Sequence, residues 1–537
     1  MKFRTRAEVR FGGTPKPTRG TRVLPGFTSR PVFSFAIDET RAAHRLLLAE
    51  DGSLIPMNTH SHGCRSRRHF LASSGYSLGG FGLAWLLNQD GAFAKPIDVE
   101  ARHYDLLPKK PQFAPKAKAM ISMFMQGGPS HIDLFDPKPE LDKLDGKKFP
   151  GEVKYDDSAH ASTTVMASPW KFQKHGQCGA DVSELLPGFA RIVDDVVVMR
   201  SMQTGVNNHG QSIFALQNGR TLPGRPTIGS WLTYALGSES QQLPAYVALT
   251  DARGLPVEGV NNWSNGWLPS LFQGTAIRPK EPRIPNLDPA PHLRGEAQAN
   301  YLGFLDKLNR EHLAQHPGET DLEARIQSYE LAGKLQTAAK EALDINGESE
   351  ATKKLYGIDD PETAEFGTRC LIARRLVERG VRFVQLFTAN QSWDHHMSIR
   401  TGLPAACKYV DKGASALVMD LKSRGLLDTT LVHWGGEMGR LPVIQYDQGA
   451  AKAGRDHNTY GFTMWLAGGG LKGGMTYGET DEFGHKAVKD IVNHHDYHAT
   501  LLHLFGLDHA KLTFKRNGTD MSLTDNQGGR LVSEILA

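Results

Sequence analysis

Apolar residues along this chain change period several times, and the changes mark its elements. Residues 119–125 (AMISMFM) form an unbroken apolar run that suits a strand buried on both faces of a parallel sheet. The run ends in Gln126-Gly127-Gly128-Pro129-Ser130, a turn that sets the next polar side chains at the carboxyl end of a strand, where open α/β sheets build their sites. Residues 194–199 and 244–249 predict further strands, with a helix over 209–217 between them. Residues 254–291 are rich in Pro, Asn, Gly and Trp and suit a long surface excursion. Over 296–343, residues such as Tyr301, Phe304, Leu305 and Leu308 recur at helical spacing among charges, which predicts two helices packed on the outside. Beyond residue 365 the alternation resumes: a helix ending near 379, a strand over 382–387, a helix over 404–423, strands over 430–434 and 463–467, and a helix over 497–505. No internal repeat is present. The pattern predicts an α/β protein with one doubly wound, mostly parallel sheet, helices on both faces, and a helical insertion around 255–345.

The first 94 residues follow a different logic. Arg65, Arg67 and Arg68 precede a Gly-broken apolar segment, residues 75–87, and Ala92-Phe93-Ala94 offers a small-residue cleavage site. With Ser66-Arg67-Arg68-His69-Phe70-Leu71 this predicts a twin-arginine signal peptide over 57–94, Met57 as the true start, and residues 1–56 as a mis-called start or disordered extension. Residues 95–537 then form a single α/β domain, exported to the periplasm or cell surface, with the twin-arginine translocase as its partner during export. No run reaches the roughly 18 apolar residues of a membrane span. The formal charge of +4 changes meaning with this division, because residues 1–94 hold 13 of the 62 basic and 6 of the 58 acidic residues. The remainder carries −3, which argues against a nucleic-acid partner. Cys178, Cys370 and Cys407 are widely spaced and odd in number, against a disulfide framework or a Cys-rich zinc site.

Histidines and acids gather just after predicted strands, at Asp394-His395-His396, Glu437, Asp456-His457 and His494-His495-Asp496. Asp394 and His396 can put one carboxylate and one imidazole on the same ion, and His457 and Glu437 would complete an N/O shell for a divalent metal. Asp133 is open between metal ligand and turn residue. Arg440 and Arg455 lie beside these ligands along the chain, where a guanidinium fork suits a phosphate or sulfate; their alternative is to neutralise Glu437 and Asp456. A nucleophile is harder to find. Ser130 follows the Gly-Gly-Pro turn and Ser212 follows His209, but neither lies in a Gly-x-Ser-x-Gly elbow, and Ser130 also suits a helix or turn cap.

The block from Phe124 to Pro139, FMQGGPSHIDLFDPKP, resembles the domain-of-unknown-function family fifteen hundred and one. The likeness continues through Val198-Met199-Arg200-Ser201-Met202, His209, Leu216-Gln217-Asn218-Gly219, Trp393-Asp394-His395-His396, Gly436-Glu437-Met438-Gly439-Arg440, Gly454-Arg455-Asp456-His457 and Thr480-Asp481, over roughly residues 116–510. That family is similar in turn to the alkaline phosphatase and sulfatase superfamily, a doubly wound α/β fold with a metal-assisted phosphoryl or sulfuryl transfer site. The resemblance implies that Asp394, His396 and His457 match one metal position. Glu437-Met438 stands where the superfamily has Asp-His, and Gln126 where it has its first Asp, so the second metal position departs from the pattern. Counting back from residues 216–219 lands the nucleophile position on or beside His209, and no Cys-x-Pro-x-Arg or Ser-x-Pro-x-Arg precedes them, which speaks against formylglycine-type sulfatase chemistry.

The sequence thus predicts an exported, metal-dependent hydrolase of phosphate or sulfate esters acting on a small-molecule or glycan substrate. Asp394, His396, His457, Glu437 and Asp133 are the candidate ligands of zinc, manganese or calcium, Arg440 and Arg455 the oxyanion grips, and His209, Ser130 or a metal-bound water the candidates to start the attack. The alternative is a noncatalytic protein of the same fold that binds anionic glycans or organises a surface complex.

Overall fold

The computed structural model describes residue 85 and residues 104–537, apart from 154–161, 317, 446–448, 450 and 526. The chain divides into two units, Met1–Lys95 and Pro96–Ala537; the predicted leader, Trp85 aside, lies outside the described residues, and the second unit carries everything below. Its elements begin with β1 (Ala119–Phe124), α1 (His131–Leu134), β2 (Val196–Gln203), α2 (His209–Asn218), α3 (Ile228–Leu236), β3 (Tyr246–Leu249) and β4 (Thr275–Ile277). An outer pair of helices, α4 (Glu296–Gln315) and α5 (Thr320–Leu343), leads to α6 (Ala364–Glu378), β5 (Phe383–Phe387), α7 (Ile399–Ser423) and β6 (Thr430–Gly435). The chain continues through β7 (Gly439–Ile444), β8 (Arg455–Asn458), β9 (Phe462–Ala467), β10 (Met475–Tyr477), β11 (Val492–Asn493) and α8 (His494–Leu504).

The apolar run of β1 takes the middle of a nine-stranded sheet of order β10-β2-β9-β6-β1-β5-β3-β4, with β11 also paired to β2. β1 runs parallel to β5 on one side and β6 on the other, and only β9 runs antiparallel to its neighbours β2 and β6. Side chains alternate across a strand, so Ile121 and Met123 enter one core with Val384, Leu386, Val432 and Trp434. Met120 and Phe124 enter the other with Phe383, Phe387 and Leu431. Helices α6 and α7 cover the first face through Cys370, Leu371, Leu417 and Leu421, and α3 and α8 the second through Trp231, Leu232, Leu501 and Leu502. Burial on both faces is why these strands are mostly apolar, as parallel strands under helices tend to be, with Ser122, Gln385 and His433 as buried polar exceptions. The fold is therefore the doubly wound, mostly parallel α/β architecture that the pattern predicts.

Boundaries shift where local chemistry outweighs periodicity. Helix α7 begins at Ile399 and carries Pro404 inside it; near a helix start the missing N–H forfeits one bond, and burial of Ile399 and Leu403 offsets it. Helix α8 begins at His494 because Asn493 accepts from the Asp496 N–H while Asp496 accepts from the Asn493 N–H, a reciprocal capping box. The excursion over 254–291 adds β4 to the sheet edge beside β3. Helix α4 buries no residue fully, whereas α5 sends Leu335, Ala339 and Leu343 into the first core. Among the described residues no helix is long and apolar enough to cross a membrane.

Candidate metal centre

The carboxyl ends of the central strands and one hairpin beside them bring four side chains together. His209 opens α2, Asp394 and His396 lie in the loop after β5, and His457 stands on β8, opposite Arg440 on β7. One ligand atom from each of the four lies within 4.8 Å of every other. Asp394 is the hub: Oδ1 is 2.9 Å from His396 Nε2 and 3.4 Å from His457 Nε2, and Oδ2 is 3.4 Å from His209 Nε2. The group is sunk but not sealed, with the Asp394 side chain 14% and the His396 side chain 25% exposed. The turn after β1 allows this closeness. Gly127 has φ +110°, and a Cβ there would sit 2.5 Å from the Asp394 nitrogen, so a larger residue would push the ligand loop away.

Each imidazole is held from behind through Nδ1. His209 Nδ1 donates to Glu437 Oε1 at 2.6 Å, His457 Nδ1 to the Asn207 carbonyl at 2.7 Å, and His396 Nδ1 to Gln445 Oε1. These acceptors set the proton on Nδ1 and turn each Nε2 inward, the arrangement by which outer partners orient metal-binding histidines. Two of those inward atoms, His396 Nε2 and His457 Nε2, are 3.0 Å apart, close enough for one cation to lie against both. Burial disfavours the charged form of His209, yet the Asp394 and Glu437 carboxylates outweigh it and raise its pKa to about 9. Burial likewise works against the Asp394 anion, but Arg440 and the three imidazoles hold its carboxyl far below the usual range.

The structure places several sequence-predicted site residues elsewhere. Asp133, expected as a possible ligand, is fully buried and forks onto Arg455, with Oδ2 2.8 Å from Nε and Oδ1 3.0 Å from Nη2. Arg455, expected to grip an oxyanion, spends its remaining donors on the Met166, Leu441 and Ala167 carbonyls. Arg440 is just as buried; it donates to the Gly127, Gly128 and Arg455 carbonyls and to Asp394 Oδ1. Both arginines therefore brace the site from inside, and their acidic partners are Asp394 and Asp133, not Glu437 and Asp456. Glu437, expected as a ligand, lies behind His209 and outside the group of four. Ser130, a candidate to start the attack, donates its hydroxyl to Asp133 Oδ2 at 2.5 Å, and Ser212 donates to the Glu437 carbonyl at 2.9 Å. His209, the other candidate, is one of the four. The His494-His495-Asp496 cluster stays apart, in the first turn of α8.

Sequence reasoning missed the two acceptors Asn207 and Gln445. Asn207 acts through its backbone carbonyl, which leaves no mark on residue type, and Gln445 is an isolated amide just past β7. The choice between adjacent His395 and His396 is settled by packing: the His395 ring lies against Gly402 of α7, and burial lowers its pKa to about 4.

Residues 117–536 match the family model described as protein of unknown function, DUF1501. No curated protein matches the chain. Among solved structures the chain is similar to a protein in the alkaline phosphatase superfamily from Vibrio parahaemolyticus, at 11% identity with 82% of this chain and 75% of that chain covered and a TM-score of 0.35. It is also similar to the lipoteichoic acid synthase LtaP from Listeria monocytogenes, at 10% identity, 79% and 79% coverage and a TM-score of 0.30. A third is the phosphonate monoester hydrolase SpPMH from Silicibacter pomeroyi, at 11% identity, 78% and 76% coverage and a TM-score of 0.30.

Proposed function

Since the chain belongs to the DUF1501 family of proteins of unknown function, its activity has to come from the site, and we propose a metal-dependent hydrolase of phosphate or sulfate esters. Three imidazole Nε2 atoms and one carboxylate turned to a common point, each ring fixed from behind through Nδ1, carry this proposal. The donor set of three nitrogens and one oxygen fits zinc or manganese, whereas calcium prefers oxygen alone. His209, Asp394, His396 and His457 would hold the ion, which when bound supplies Lewis acidity to an ester oxygen. Arg440 holds Asp394 Oδ1 and so fixes the carboxylate's orientation. The exposed sides of His396 and Asp394 leave a path for a small-molecule or glycan ester. The Ser130 and Ser212 hydroxyls are directed at Asp133 and at the Glu437 carbonyl, not at the group of four, and this reading takes water as the attacking group, with the acid and the free alcohol as products.

Protein loaded with zinc or manganese should turn over at least one member of a panel of aryl phosphates, phosphodiesters and aryl sulfates, and lose that activity on chelation. His457→Ala should bind metal more than about 100-fold more weakly, as loss of a direct ligand exceeds the usual effect of an outer partner. Unchanged metal content in that variant would sink the proposal. Full metal occupancy with no turnover on any of the panel would favour a binding protein for anionic glycans instead.

We also propose that residues 57–94 are a twin-arginine leader, on the strength of the arginine pair, the apolar segment and the Ala92-Phe93-Ala94 site. Expressed in a bacterium with that translocase, the exported form should begin near Lys95. A cytoplasmic form beginning at Met1 would count against the leader.

A further inference from the structure

Glu437 stands in the short turn between β6 and β7 and is fully buried. Its position is fixed by close packing: a Cβ on the preceding Gly436 would sit 2.5 Å from the Met125 carbonyl oxygen. The carboxylate oxygen Oε1 accepts two bonds, from His209 Nδ1 at 2.6 Å and from the Gly127 N–H at 2.9 Å. Its backbone carbonyl accepts a third, from the Ser212 hydroxyl at 2.9 Å. Ser212 lies one turn beyond His209 on α2, so one residue holds both the ring and the helix that carries it. A carboxylate only accepts, so Nδ1 keeps its proton, and Nε2, turned toward Asp394 at 3.4 Å, is the nitrogen left for a cation to take in place of a proton.

We propose that Glu437 is a positioning residue for the metal centre, acting through His209: it sets the tautomer and angle of that imidazole and links it to the turn after β1. This rests on the metal-site reading above and assigns Glu437 a role behind the ligands, not among them. Loss of the carboxylate frees the ring to rotate or to move its proton to Nε2, and either change withdraws one nitrogen from the centre. The other two imidazoles keep their own acceptors, Asn207 and Gln445, so the site should weaken without vanishing.

Cobalt(II) replaces zinc and reports its coordination through its visible absorption. In purified full-length protein, Glu437→Ala should bind cobalt about 10–100-fold more weakly, the range typical for outer partners of metal ligands, with a changed visible spectrum. Glu437→Gln keeps an acceptor oxygen for Nδ1 and should recover most of the loss. In a His209→Ala background, Glu437→Ala should add less than about threefold, because a residue that acts through the ring has nothing left to position. Glu437→Ala with unchanged affinity and spectrum overturns the proposal, as does a full additional loss in the His209→Ala background. If Glu437→Ala fails to fold, Glu437→Leu, which removes the acceptor and keeps the bulk, decides in its place: a fall in cobalt affinity with a shifted spectrum supports the proposal, and values identical to the parent's overturn it. Failure of the parent protein to bind cobalt or zinc at one equivalent would instead overturn the metal-site reading.

Discussion

At Arg455 the guanidinium faces inward, and every partner it has is protein: the Asp133 carboxylate and three backbone carbonyls. Proximity along the chain suggested a neighbour such as Asp456, but the real partner lies more than three hundred positions away, which residue type and spacing cannot encode. The same limit applies to Arg440, whose acidic partner Asp394 comes from another loop. Asp394, His396 and His457 were legible because ligand-type residues just after strands have few other reasons to gather. Removing one member of a buried ion pair leaves an unpaired charge, so Arg455→Met should lower the unfolding free energy by about 3–5 kcal/mol in urea titrations. Asp133→Leu together with Arg455→Met should be markedly milder than the single change, since neither charge is then stranded. A double variant as unstable as the sum of the singles would show that the pair's charges are not coupled.

Among elements, β1, β2, β3, β5, β6 and β9 announce themselves because both faces are mostly apolar, whereas the two- and three-residue strands β4, β10 and β11 and the hairpin of β7 and β8 do not. β8 is Arg455-Asp456-His457-Asn458, wholly polar and wholly buried. No hydrophobic pattern marks it; its polar groups are satisfied by the site and by neighbouring backbone, so function replaced periodicity. The hairpin also meets the ligand loop at very short range. A Cβ on Gly454 would fall 2.2 Å from the main-chain carbon and oxygen of His396 and 2.4 Å from the Met397 nitrogen, all backbone atoms that cannot rotate away. Gly454→Ala should therefore separate β8 from the loop that carries His396. The expected result is weaker zinc binding in a chelator competition, with a loss of about 1–3 kcal/mol in stability from overpacking. Zinc affinity equal to the parent's would show that the loop shifts as a body with His396 in register.

For the whole molecule, the two-faced sheet was legible because its alternation of strands and helices runs through the chain, but the polar groups inside its second face were not. His433 of β6 places Nδ1 3.0 Å from the Ser122 hydroxyl, and His498 of α8 donates from Nε2 to the Leu216 carbonyl at 2.7 Å. Burial lowers both pKa values to about 3, from 6.5 in the unfolded chain. A depressed pKa means the folded protein binds fewer protons than the unfolded chain between those values, so stability is intact above pH 6.5 and falls as pH drops toward 3. At about 1.4 kcal/mol per unit, each histidine should remove about 2 kcal/mol between pH 7 and pH 5. His433→Gln should lower stability at neutral pH, because it disturbs a packed site, yet flatten the acid slope by one histidine's share. Urea unfolding at pH 7, 6 and 5 separates the two effects, and a slope in the variant as steep as the parent's would mean that His433 is protonated within the fold and that acid lability arises elsewhere.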